Sequence, residues 1–243
     1  MIRISLVIPA YNEVQRLPGL LDSVAAARAN YIGGSEAIEV IVADNASTDS
    51  TAAIASEWGC RVVSVEKRCI AAVRNGGAQI ARGEILCFVD ADSLIHSETF
   101  GAIDDALARA DVVGGATGVQ LERWSLGITL TYLMFLPMVL LTGMDTGLVF
   151  CRHIDFEEIG GYEERREFAE DVAFLWALKR LGRSRGQKLV RLPQVKAVTS
   201  TRKFDRHGDW HYFTKIFPLA LPALLWPAAR TKLAQWYWYT DDR

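Results

Sequence analysis

Over its first ninety residues the chain alternates short apolar, β-branched runs with stretches whose apolar residues recur every three or four positions. That alternation predicts a mostly parallel sheet with helices on its faces. Strands are expected over Ile4–Ile8, Ile38–Ala43, Arg61–Val65 and Ile85–Val89. Between the first two, Pro18 suits the first turn of a helix, and Leu17, Leu20, Leu21 and Val24 form its sheet-facing stripe. Asp44 to Thr51 is a cluster of turn and capping residues that leads into a helix over Ala52–Trp58, and Ala71–Ala81 reads as a small-residue helix. The run Ile85–Val89 is apolar at every position, as a strand buried on both faces requires, and it stops abruptly at Asp90-Ala91-Asp92.

Beyond this point the periodicity weakens. Asp111–Val119 and Gly147–Cys151 read as strands, Ala169–Leu181 as a helix with Val172, Leu175, Trp176 and Leu178 on its apolar face, and Ser200–His207 as a basic loop. Leu126–Leu141 is an apolar run shorter than the ~20 residues a spanning helix needs, and reads as a buried or interfacial helix. Its open uses are core, a homodimer surface, or peripheral contact with a membrane. The tail from Tyr212 to Tyr239 mixes aromatics with Pro218, Pro222 and Pro227, which argues against one long straight helix.

Composition narrows the function classes. Half the residues are hydrophobic and the formal net charge is −2, which supplies a large core and argues against a protein built to neutralise nucleic-acid phosphates. Cys60, Cys69, Cys87 and Cys151 form neither a Cys-x-x-Cys pair nor a disulfide framework and read as reduced core thiols. The N-terminus carries no long apolar signal-peptide core, so the expected location is cytoplasmic, with peripheral placement at the cytoplasmic membrane face if the apolar segments meet lipid.

The chemistry concentrates where strands end. Asp90 and Asp92, separated by one small residue, can converge on a hard cation, Mg²⁺ or Mn²⁺, together with diphosphate oxygens. A strand-ending Asp followed by a helix-capping Asp is also common in α/β proteins, so context has to decide. That context is Pro9-Ala10-Tyr11-Asn12-Glu13 after the first strand and Asp44-Asn45 after the second, where open α/β sheets place ligands. A carboxylate at Asp44 can accept from a base imide or a ribose hydroxyl, Tyr11 can cover a base, and Arg74 can pair with phosphate or base. Each has a structural rival: Asn45, Ser47 and Asp49 as turn residues, Glu13 as a first-turn acid, Arg74 as a solvated helix arginine.

Five ordered blocks carry a resemblance to the family 2 glycosyltransferases and their GT-A relatives. They are Val7-Ile8-Pro9-Ala10-Tyr11-Asn12-Glu13, Val40-Ile41-Val42-Ala43-Asp44-Asn45-Ala46-Ser47-Thr48-Asp49, Ala72-Val73-Arg74-Asn75-Gly76-Gly77, the run from Gly83 to Asp92, and Glu170-Asp171, spread over about residues 2–182. The resemblance implies one GT-A-type, Rossmann-like α/β domain over 1–243, with residues 1–119 holding a nucleotide sugar and 120–243 forming the acceptor half and tail. It places Pro9, Ala10, Tyr11, Glu13, Asp44, Arg74, Asp90 and Ala91 around the nucleotide, Asp90 and Asp92 on the metal and diphosphate, and Asp171 as catalytic base with Glu170 orienting the acceptor. A helix N-terminus favours a carboxylate there. Arg202, Lys203 and Arg206 are candidates for the diphosphate, and His207 or His211 for completing the metal shell. Gly160-Gly161-Tyr162 resembles the turn before the family's acidic pair and would shape the acceptor side.

The implied reaction is inverting transfer of a sugar from a UDP- or GDP-linked donor to an acceptor hydroxyl; the apolar segments suit a lipid-linked acceptor. Three alternatives stay open: a retaining GT-A enzyme, a nucleotidyltransferase, and a non-catalytic nucleotide-binding scaffold. The nucleotidyltransferase lacks its expected glycine-rich, lysine-containing loop after the first strand.

Overall fold

The computed structural model describes residues 1–166 and 169–218. The apolar runs form one seven-stranded sheet: β1 (Ile4–Ala10), β2 (Ile38–Asp44), β3 (Arg61–Ser64), β4 (Ile85–Phe88), β5 (Val112–Leu121), β6 (Val149–Arg152) and β7 (Lys188–Thr199). Their order across the sheet is β3-β2-β1-β4-β6-β5-β7. β1 pairs in parallel with β2 and β4, β2 with β3, and β5 with β7, whereas β6 runs antiparallel to both neighbours. The helices are α1 (Leu17–Ala29), α2 (Thr51–Glu57), α3 (Ile70–Gln79), α4 (Thr99–Ala108), α5 (Leu126–Thr142), α6 (His153–Glu158), α7 (Glu170–Ser184) and α8 (Arg202–His207).

Two hydrophobic layers flank the sheet, and β1 shows why its residues, Ser5 apart, are apolar. Leu6 and Ile8 face one layer with Leu20, Val24, Phe100 and Ile103, while Val7 faces the other with Phe88, Phe156, Phe174 and Leu178. Side chains alternate between faces along a strand, so a strand covered on both sides must be apolar at odd and even positions alike. Each such fully buried aliphatic side chain contributes about 1.5–3 kcal/mol. Glycine is required where β5 meets β7: a Cβ on Gly115 would run into the carbonyl oxygen of Val190.

The helix and strand expectations hold to within a few residues, with four differences. Ser200–His207 is not a loop, because Arg202–His207 closes into α8. On α7 the buried face is Phe174, Leu175, Leu178 and Gly182; Trp176 is 42% exposed, with the Lys179 ammonium 5.3 Å from its ring centre. β7 was not anticipated, since Pro193 interrupts its pattern. Pro193 sits at a sheet edge, where the pairing jumps from Thr117↔Leu192 to Gly118↔Lys196, and an edge bulge is where proline is tolerated. Finally, α5 is not core. Only Gly127, Ile128 and Thr131 are buried, while Leu126, Leu133, Met138, Leu140 and Leu141 are each about half exposed or more. Among the described residues no helix is long and apolar enough to cross a membrane. The expectation for the tail beyond Pro218 lies outside the described residues.

Cys69, Cys87 and Cys151 are buried, Cys60 half-buried, and all four are free thiols.

Candidate active site

The parallel strands β1, β2 and β4 deliver their carboxyl ends to the same side of the sheet. Ala10 pairs with Asp44, and the Val89 amide continues the β4 ladder by donating to the Val7 carbonyl, just before Asp90. The loops that leave these strands are bent tightly. Among the described residues the non-glycine residues with positive φ are Asn12 (51°), Ala46 (55°) and Ala169 (55°), and each lies within two residues of a predicted site residue. Such left-handed backbone costs roughly 1–2 kcal/mol per residue, and it tends to gather at functional sites.

Local hydrogen bonds hold these bends. The Asn12 amide donates to Ser47 Oγ at 3.0 Å and the Thr48 amide donates to Asn12 Oδ1 at 2.8 Å. Asp49 Oδ1 accepts from the Thr51 amide at 2.9 Å, and Asn45 donates to the Val65 carbonyl at 2.6 Å. Asn45, Ser47 and Asp49 are therefore turn-builders. Asp44 is different. It is buried, its Oδ2 accepts from the Ser47 amide at 3.1 Å, and its Oδ1 is buried with no partner among the described residues. An unsatisfied buried acceptor costs about 1–3 kcal/mol, which a ligand N–H or O–H would recover. Beside it, Tyr11 carries the Arg68 guanidinium over its ring at 4.7 Å, with Arg68 donating to its hydroxyl at 2.9 Å.

Two arginines organise the remaining carboxylates. Arg74, buried on α3, meets Asp90 at 2.8 Å, Glu170 at 2.9 Å and Asp171 at 2.8 Å. Arg202, at the start of α8, forks onto both oxygens of Glu13 at 3.1 Å and reaches Asp92 at 3.0 Å. Thus Glu13 and Arg202 pair with each other, and Arg74 is not a solvated helix arginine: buried, it joins the end of β4 to the start of α7.

The electrostatics follow. Burial works against the charge of Arg74, yet the fields of Asp171 and Asp90 hold its guanidinium well above the usual range. Burial pushes Asp171 up to about 7 against the opposing pull of Arg74, with Glu170 and Asp90 adding to the rise. Burial also raises Asp92, helped by the charge of Asp90 and opposed by Arg202 and Lys203. Six carboxylates, those of Glu13, Asp44, Asp90, Asp92, Glu170 and Asp171, gather here, and Arg74 and Arg202 are guanidinium partners to five of them.

This donor set fits a hard divalent cation. Asp90 and Asp92 offer carboxylate oxygens in mutual repulsion, and the excess of negative charge would repel a diphosphate unless a cation came with it. Among the described residues no three His, Cys, Asp or Glu side chains converge as a metal site, so diphosphate and water oxygens would supply the remaining ligands. His207 sits beside the buried His211, ring centres 5.7 Å apart, with burial lowering both imidazoles. Lys203 is partly buried near Asp92, while Arg206 is exposed on α8. Pro9 and Ala10 close β1, and Ala91 is buried between the two aspartates.

The sequence assigns Tyr162 only to a turn shaping the acceptor side, and gives no site role to Asn75 or Arg68. Tyr162 is buried against Phe174, rings 4.2 Å apart, and donates to Asp171 Oδ1 at 3.2 Å. Asn75 donates to the Tyr162 carbonyl and accepts from its amide, both at 2.9 Å. The available signals were Asn75, next to Arg74 in its block, and the Gly160-Gly161-Tyr162 turn, whose glycines have φ of 79° and 70°.

The fold is that of the GT-A glycosyltransferases. A mannosyltransferase from Pyrobaculum calidifontis, in complex with GDP-Man and Mn²⁺, superposes with a TM-score of 0.63 at 21% identity, covering 81% of this chain and 56% of that one. S. aureus TarS 1-349 in complex with UDP gives a TM-score of 0.63 at 20% identity, covering 86% and 63%. The model of glycosyl transferase family 2 matches residues 5–167, and the chain belongs to that family. Among sequence relatives, a poly(ribitol-phosphate) beta-glucosyltransferase of Bacillus spizizenii is 36% identical over 103 residues, covering 40% of this chain and 16% of its own length. A dolichyl-phosphate beta-glucosyltransferase of Drosophila melanogaster is 32% identical over 116 residues, covering 44% and 36%. The matched segments thus span well under half of those two relatives.

Proposed function

We propose that the protein transfers a sugar from a UDP- or GDP-linked donor to an acceptor hydroxyl, with inversion, by single displacement. The observation that carries this reading is the meeting of Asp90 and Asp171 on one guanidinium, which sets the donor-side motif and a candidate base within a few ångströms of each other. In this reading residues 1–119 form the donor half, and 120–243 the acceptor half and tail. Asp44 accepts from the base or ribose, Tyr11 covers the base, and Pro9, Ala10, Glu13 and Ala91 complete the walls. Asp90 and Asp92 would hold Mg²⁺ or Mn²⁺, whose charge offsets that of the departing diphosphate. Arg202, Lys203 and Arg206 then turn toward the diphosphate.

Asp171 takes the proton of the acceptor hydroxyl as the new bond to the anomeric carbon forms. The bond from that carbon to the phosphate oxygen breaks, and its electron pair leaves with the nucleoside diphosphate. A base near neutrality suits this step, which is worth about 10²–10⁴-fold. Glu170 orients the acceptor.

The relative named for dolichyl phosphate and the exposed apolar side chains of α5 support a lipid-linked acceptor and peripheral contact with a cytoplasmic membrane face. Flotation with liposomes tests that contact, and failure to associate with any lipid composition removes it.

The first experiment on the reaction is thermal unfolding with UDP, GDP, CDP, ADP and TDP, each with and without Mn²⁺. A ligand at about 100 times its Kd stabilises the native state by about 2.7 kcal/mol. A Mn²⁺-dependent shift with UDP or GDP supports the reading, and no shift with any of them in folded protein overturns it. The anomeric configuration of the product, by NMR, tests inversion.

A further inference from the structure

The apolar packing around Tyr162 has no use for a hydroxyl. Its ring stacks on Phe174 at 4.2 Å and 10°, and meets Phe88 edge-on at 5.1 Å, within a cluster that also holds Phe156. A phenylalanine would fill the same space. The hydroxyl is nevertheless directed at a carboxylate: it donates to Asp171 Oδ1 at 3.2 Å. Arg74 approaches the same oxygen at 2.8 Å and holds its guanidinium 5.2 Å over the Tyr162 ring. Among the described residues both contacts fall on Oδ1, and none falls on Oδ2.

The tyrosine is itself held in place from the far side. The paired hydrogen bonds with Asn75 tie its backbone to α3, the helix that carries Arg74. A Cβ on Gly161, whose φ is 70°, would fall 2.8 Å from Asn75 Oδ1, so the turn closes only with glycine there.

We propose that Tyr162 is a positioning residue: its phenol, locked by Asn75 and Phe174, fixes one oxygen of Asp171 and aims the other at the acceptor. The inference rests on the reading of Asp171 as the base. Among the described residues, the groups that act most strongly on that carboxylate are Arg74 from α3, Glu170 beside it on α7, Asp90 after β4, and Tyr162 from the turn. Burial and the charge of Asp171 hold the phenol far above its ordinary range, so it remains a donor wherever the carboxylate is ionised.

Tyr162→Phe is the test, because it removes only the hydroxyl. The readout needs no acceptor: release of nucleoside diphosphate from UDP-glucose, UDP-GlcNAc or GDP-mannose by hydrolysis, with Mn²⁺, water standing in for the acceptor. The expected result is a roughly tenfold fall in kcat at neutral pH with the donor KM unchanged. The acid limb of the pH profile should also move upward by about one unit, because a hydrogen bond that favoured the ionised carboxylate has gone. In an Asp171→Asn background, Tyr162→Phe should change nothing further. Thermal unfolding checks that the variant folds, and Tyr162→Leu, which loses hydroxyl and ring together, shows what mere loss of packing does to KM and stability.

Wild-type kcat and an unmoved acid limb in Tyr162→Phe, with Asp171→Asn inactive, overturn the positioning role and leave the base intact. Full turnover by Asp171→Asn overturns the base itself, and the positioning role with it.

Discussion

Replacing Asp171 with asparagine should make the protein more stable at alkaline pH while it stops turnover. The native carboxyl is pushed up to about 7 from its ordinary 3.8, principally by burial, so the folded protein keeps a proton that the unfolded chain releases above about pH 4. Stability therefore falls as pH rises from about 4 to 7, and the loss is complete above the folded-state value. Integrated between pH 5 and pH 8, a shift of that size amounts to about 2–3 kcal/mol at 1.36 kcal/mol per unit. Asparagine resembles the protonated acid in shape and charge, and it leaves Arg74 paired with Asp90 and Glu170. The assay is urea unfolding of both proteins at pH 5 and pH 8. Groups that titrate equally in both cancel in the comparison, so the variant should gain about 2–3 kcal/mol on the wild type across the interval. Parallel pH profiles for the two proteins would refute the account of Asp171 as a carboxylate held ionised at a cost to the fold.

The same group should set an acid limb near pH 7 in the wild-type rate profile, with turnover rising as the carboxylate ionises. Asp44→Asn should weaken Mn²⁺-dependent binding of UDP or GDP by about 10–100-fold in calorimetry, because the orphaned oxygen no longer meets a donor as a carboxylate; unchanged binding would remove Asp44 from the pocket. Asp90→Ala and Asp92→Ala should abolish the Mn²⁺ dependence of that binding, whereas normal metal-dependent affinity in both would move the cation elsewhere. Gly115→Ala should cost about 1–3 kcal/mol in thermal unfolding, by forcing β5 from β7 at the Val190 carbonyl.

Much of this was legible in the sequence because the first half of the chain is locally consistent. In β1, β2 and β4 predominantly apolar runs stop at Tyr11, Asp44 and Asp90, so the change from apolar to polar marks both the strand ends and the side on which the site lies. What escaped depended on partners far apart in sequence. Arg202 finds Glu13 across 189 positions, a pairing no local pattern encodes. Tyr162 reads as part of a turn on the acceptor side, and nothing local shows that its hydroxyl meets Asp171. The apolar character of α5 was plain, but burial is a property of what surrounds a helix, and most apolar side chains of α5 stay exposed. β7 was hidden by Pro193, which a central strand would exclude and this edge accommodates with a bulge.

The reversed direction of β6 has a mechanical corollary. Because Val149 lies opposite Phe88, the chain enters β6 at the end of the sheet where β4 delivers Asp90. Met144, Asp145, Thr146 and Gly147 are thus strung between α5 and the rim of the site, hinged at Gly143 with φ 71° and pinned by Asp145 to Arg191 at 2.8 Å. The exposed helix acts as a handle on that rim: tilting it pulls on a strap only a few residues long, fixed at the far end to the strand beside the aspartates.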